Sequence, residues 1–80
     1  MAEPSIAIYE HGALQCAEGL AASVLDRARQ GLELSPDDGH LLALAGVALR
    51  HLGRLPEACA ALEAAACEIP LPPAAALALG

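Results

Sequence analysis

Gly53-Arg54-Leu55-Pro56-Glu57-Ala58 interrupts a chain that on either side is mostly leucine and alanine. Its parts have separate physical meanings. Glycine takes the left-handed backbone that ends a helix, and proline fits a first helical turn, where its missing N–H would have no partner anyway. A glutamate beside it faces the positive end of the new helix. The stretch reads as the hinge of a helical hairpin, with Ala58 small because two helices meet closely there.

The same punctuation recurs at one fixed step along the chain. Gly12 and Gly46, Gly19 and Gly53, and Pro36 and Pro70 are separated by that step, and Gly80 follows Gly46 by the same distance. Only the first three pairs are identities between residues 5–38 and 39–72, so the repeat lies in punctuation rather than in side chains. Helix signals divide the chain in the same way. A first helix runs from a Ser5 cap to about Glu18, where Gly19 breaks it. A second, from about Ala22 to Leu34, puts Val24, Leu25, Ala28 and Leu32 on one stripe with Asp26, Arg29 and Glu33 outward, and Ser35-Pro36 ends it. Asp37 and Asp38 bring carboxylates to the start of a third helix, about His40 to Leu52, which is apolar nearly all round and belongs at the centre of the core.

Composition supports an all-α fold. Apolar residues make up 56% of the 80, with no Phe, no Trp and Tyr9 as the single aromatic, so the core must come from Leu, Ala, Val and Ile. Strand formers are scarce and no strand is expected. One domain, residues 1–80, buries only roughly 60–65% of its unfolded surface, so its stability should be marginal. The net charge of −6, from ten carboxylates and four arginines without a lysine, argues against nucleic acid or an anionic membrane as partner and against Schiff-base chemistry. The MAEPS start lacks a basic-then-apolar leader, and the longest apolar run, Leu41 to Leu49, is about half a membrane span. Three cysteines without metal-ligand spacing fit reduced thiols, which gives a cytoplasmic expectation.

Antiparallel helix pairs recurring with a period of about 34 residues resemble the tetratricopeptide repeat (TPR) family. Residues 39–72 carry the resemblance best: Gly46 and Ala65 stand at small positions, Ala58 at the family's alanine, Leu62 at a bulky position and Pro70 at the proline. Leu42, Ala45 and Leu49 stand where the family has large residues, with the aromatics lost. Residues 5–38 diverge more. Gly12, Gly19, Ala28, Gly31 and Pro36 fit, but Val24 replaces the usual alanine, and His11 and Gln15 occupy usually apolar positions. The expected architecture is an antiparallel helix-turn-helix array of two repeats, 5–38 and 39–72, with a partial third helix at 73–80.

Such an array stacks to bury a continuous core, and about three repeats are usual, so apolar surface should remain for a partner. The resemblance implies a non-enzymatic protein-binding module with no cofactor and no metal. Its groove, lined by the first helix of each pair, would here consist of Ile6, Tyr9, Ala13, Cys16, Ala17, His40, Ala43, Val47, Arg50 and His51. That lining suits an amphipathic helix or an extended apolar segment of a partner protein. The clamp that holds acidic chaperone tails in the family is not matched, since its positions carry Tyr9, Ala13, His40 and Leu44 and lysine is absent. Small size, acidity and groove character are similar to the TPR chaperones of type III secretion systems. The alternative is a structural assembly element, a homo-oligomer formed through exposed repeat ends and the apolar C-terminal stretch.

Reactive constellations are weak. Cys59 and Cys67, eight apart on one helix, are about 12 Å from each other, too far for a disulfide, and read as packing residues. Cys16 and His11 share no face, and no third group orients them as a nucleophile needs. His40 and His51 are about 16 Å apart along a helix, too far for one metal. Asp37 and Asp38 serve a turn and a cap, and Arg50, Arg54 and Glu57 read as a surface charge cluster. No glycine forms a phosphate loop, because no strand precedes it. No catalytic residue is expected.

Overall fold

The computed structural model describes residues 4–70, with side chains from Tyr9 onward. The described chain is helical: α1 (Pro4–Ala17), α2 (Ala21–Leu34), α3 (Gly39–His51) and α4 (Leu55–Glu68), with no strand among the described residues. The boundaries fall within a residue or so of those the punctuation predicts. Pro4 is already helical, so Ser5 stands inside the first turn of α1 rather than at its cap. Residues 73–80, where a third repeat would begin, lie outside the described residues.

The two hairpins share their turn chemistry. Gly19 and Gly53 have φ of 94° and 80°, the left-handed region in which a Cβ is penalised. Each closes its helix with the paired bonds of a Schellman motif. Gly19 N donates to Cys16 O and Leu20 N to Gln15 O; Gly53 N donates to Arg50 O and Arg54 N to Leu49 O. Both of these bonds of the first turn thus have their counterpart in the second. The same shift relates Val24 N to Leu20 O with Ala58 N to Arg54 O, and Ser35 N to Gly31 O with Ile69 N to Ala65 O. Carbonyls that helix ends would leave unpaired are satisfied by identical local means in both hairpins.

Helix starts follow the expected capping. Asp38 accepts from the backbone N–H groups of His40 and Leu41 at 3.0 and 3.2 Å and so caps α3. Pro56 and Glu57 occupy the first turn of α4, where Glu57 also meets Arg54 Nε at 2.9 Å. Both members of that pair are about half exposed, and such a pair contributes little.

The core forms around α3, which touches α1, α2 and α4. Nine of its thirteen residues are buried. α2 adds Ala21, Val24, Leu25 and Ala28, and α4 adds Ala58, Leu62 and Ala65 at steps of four and three. Leu44, Leu62 and Val24 are its largest fully enclosed side chains, and no described polar residue is buried among them. A core of such small side chains holds only if the helices approach closely. At Gly46 an added Cβ would stand 2.5 Å from Leu62 Cγ, and at Gly12 it would stand 2.6 Å from Leu44 Cδ1. Glycine at these two places lets α4 and α3 press their leucines onto bare backbone.

Candidate functional site

The groove expected from the sequence falls on the first helix of each hairpin, α1 and α3, which lie against one another. The structure divides its ten residues. Tyr9, Cys16, Ala43 and Val47 are buried in the core, at 5%, 2%, 0% and 4% exposure. This corrects their assignment to a binding surface: α3 is enclosed on three sides, and the small residues that could have lined a groove are what let α3 and its neighbours close together. A partner could reach them only by prising helices apart. Ala13 and His40 are half-buried, while Ala17, Arg50 and His51 are exposed. The side chain of Ile6 lies outside the described residues.

What remains exposed on these two helices includes Leu14 and Ala17 of α1 and Arg50 and His51 of α3. On α1, Leu14 is 66% exposed between Ala13 and Ala17. On α3, Arg50 and His51 occupy the places equivalent, one repeat on, to Cys16 and Ala17. They sit in the last turn of α3, where cations meet the negative helix end.

The cysteines are all free, but only Cys16 is buried. Cys59 and Cys67 are exposed, which corrects their reading as packing residues: Ala58, Leu62 and Ala65 fix the inward face of α4 and turn both thiols away from it. Burial pushes the Cys16 thiol pKa up, the opposite of what a nucleophilic cysteine requires. Among the described residues no group of three or more His, Cys, Asp or Glu is placed to hold a metal ion. None of the described helices is long and apolar enough to cross a membrane.

A feature that the groove reading passes over lies on the first hairpin. His11, Gly12 and Gln15 of α1, Val24 and Arg27 of α2, and Leu44 of α3 line a partly open cavity of about 80 Å³. Arg27 donates a hydrogen bond to Gln15 Oε1 across its mouth. The signal in the sequence was the polarity of His11 and Gln15 at otherwise apolar positions.

No family model, curated protein or solved structure matches this chain.

Proposed function

We propose that this chain is a TPR-type module that binds a helical or extended apolar segment of another protein, without catalysis of its own. The observation that carries the reading is the exposure of Leu14 and Ala17 on α1 and of Arg50 and His51 on α3, on helix pairs whose turn bonds recur from one hairpin to the next. An amphipathic segment laid on Leu14 would bury an apolar side chain otherwise 66% exposed, and a carboxylate on that segment would find Arg50. The acidity of the chain disfavours strongly acidic partners elsewhere on its surface, so Arg50 also orients the segment. The finer form of the reading is a small cytoplasmic chaperone that keeps a secretion-apparatus subunit soluble.

The test uses Leu14→Glu, whose side chain lies outside the core, so helicity should be preserved. Tagged wild type and variant are purified from the native host, and bound proteins are identified by mass. A stoichiometric heterologous partner on the wild type, lost in Leu14→Glu, supports the reading. A partner retained by the variant removes Leu14 from it, and a concentration-dependent homo-oligomer without bound protein favours the assembly element instead.

A further inference from the structure

The second helices of the two hairpins turn different faces to solvent. On α2 the outward positions include Asp26, Gln30 and Glu33, all exposed, and Gln30 donates to Asp26 at 3.2 Å. At the equivalent places α4 has Ala60, Ala64 and Cys67, equally exposed, with Cys59 and Ala66 beside them and Glu63 as the charge among them. Among the described residues α4 packs on α3 through Ala58, Leu62 and Ala65, and no described helix covers this other side.

Alanine is the best helix former, so the small residues by themselves require no partner. The charges at the two ends of α4 are what the single chain leaves unmatched. A helix favours anions near its start and cations in its last turn. α3 follows that rule, with Asp38 at its cap and Arg50 and His51 in its last turn. α4 has Arg54 at its cap position and Glu68 as its last residue, with no basic residue in the last turn. Glu57 offsets Arg54 at 2.9 Å, but no ion pair offsets Glu68 among the described residues. Arg54 and Glu68 are fourteen residues apart, close to four turns, so they lie along one flank of the helix about 21 Å from each other. If a second α4 is laid antiparallel on the first, like flanks face each other across the two-fold axis and each of these charges meets its opposite. The axis that pairs Arg54 with Glu68 passes level with Ala61, and the axis that seats Ala60 against Ala64 passes level with Leu62. One arrangement therefore serves both pairings. It also brings Arg54 to the negative end of the other helix and Glu68 to its positive end.

We propose that α4 pairs with α4 of a second copy of this chain, antiparallel about a two-fold axis, with Ala60 and Ala64 at the contact and Arg54 of each copy on Glu68 of the other. Side chains this small let the helix axes approach to about 8 Å. A single helix pair buries less than a standard interface and sets the two Glu63 near one another, so the dimer is weak, with a Kd of about 0.1 to 1 mM. The surface is on a different helix from Leu14 and does not depend on the protein-binding reading.

Sedimentation equilibrium of the full chain, with its thiols kept reduced, reads the association between about 20 µM and 2 mM. Wild type should pass from monomer to dimer across that range. Ala60→Glu, which puts a charge at an exposed contact position, should stay monomeric. Glu68→Arg should melt higher than wild type at low concentration, because a cation then meets the negative helix end. It should nevertheless dimerise about tenfold more weakly, because it sets like charges against Arg54 of the other copy. Arg54→Glu should weaken its own dimer in the same way, and a mixture of the two charge variants should recover wild-type association, each arginine again facing a glutamate. Should Ala60→Glu fail to fold, this charge exchange tests the pairing without it. Leu14→Glu should dimerise as wild type does, which keeps this contact distinct from the protein-binding one. A wild type that stays monomeric throughout, a folded Ala60→Glu that dimerises undiminished, a mixture no tighter than either variant alone, or loss of association in Leu14→Glu would each overturn the assignment.

Discussion

Gly46 and Leu62 give a quantitative test of how the second hairpin is held together. Leu62→Ala removes the equivalent of three methylenes from a site with no exposed surface. At about 0.8 kcal/mol each, plus the cavity left behind, the loss is about 3 to 4 kcal/mol. That is a large share of the roughly 4 to 12 kcal/mol expected for a chain of this length. Gly46→Ala should gain about 1 kcal/mol from helix propensity. Its new methyl, however, would stand 2.5 and 2.6 Å from Leu62 Cγ and Cδ2. Moving Leu62 aside costs about 1 to 3 kcal/mol, so the single variant loses about 1. In the double variant the obstruction is gone, the helix gain remains and the methyl fills part of the cavity, so the loss falls to about 2 to 3 kcal/mol. Simple addition gives about 4 to 5, and the cycle therefore carries a coupling of about 2 kcal/mol. Urea unfolding of the four proteins, followed by far-UV circular dichroism, measures it. Additivity within about 0.5 kcal/mol, or a double variant less stable than Leu62→Ala alone, would refute the close approach at Gly46.

Three further outcomes follow from the turns and the thiols. Gly19→Ala and Gly53→Ala meet nothing within 4 Å of the added Cβ, so each should lose only the left-handed backbone penalty of about 1 to 2 kcal/mol, and nearly equally. Thermal melts should drop by about 4 to 8 °C per kcal/mol, and a neutral substitution at either glycine contradicts the shared turn. In the native protein Cys59 and Cys67 should react promptly with a disulfide reagent while Cys16 reacts only as fast as the chain opens; three equally fast thiols would place Cys16 outside the core. Because burial raises the Cys16 thiol pKa, the unfolded chain ionises first as pH rises. Stability should be untouched by this group below a thiol's ordinary pKa and fall above it, and Cys16→Ala should flatten that alkaline fall.

How much of this was readable in the sequence depends on the range of the forces involved. Helix ends were legible to within a residue or so because Gly53, Pro56, Asp38 and their counterparts act on the few backbone groups next to them. The side of α3 that would face a ligand was not. Ala43 and Val47 have the same apolar character whether they line a groove or a core, and the choice was made elsewhere, by Gly12 admitting Leu44 and so drawing α1 and α3 together. A charge at Val47, which looks like a probe of binding, would therefore be a probe of folding. The outward turn of Cys59 and Cys67 was available in principle from the phase of Ala58, Leu62 and Ala65, but treating cysteine as a small apolar residue overrode it. His11 and Gln15 were visible as breaks in the pattern, while their convergence with Arg27 exists only across a folded hairpin. Comparing one hairpin with the other supplies what a single pattern lacked. The second closes with Leu62 of its own α4 seated on Gly46, whereas the first closes with Leu44 of α3 seated on Gly12, so the same glycine serves an approach within a hairpin in one case and between hairpins in the other.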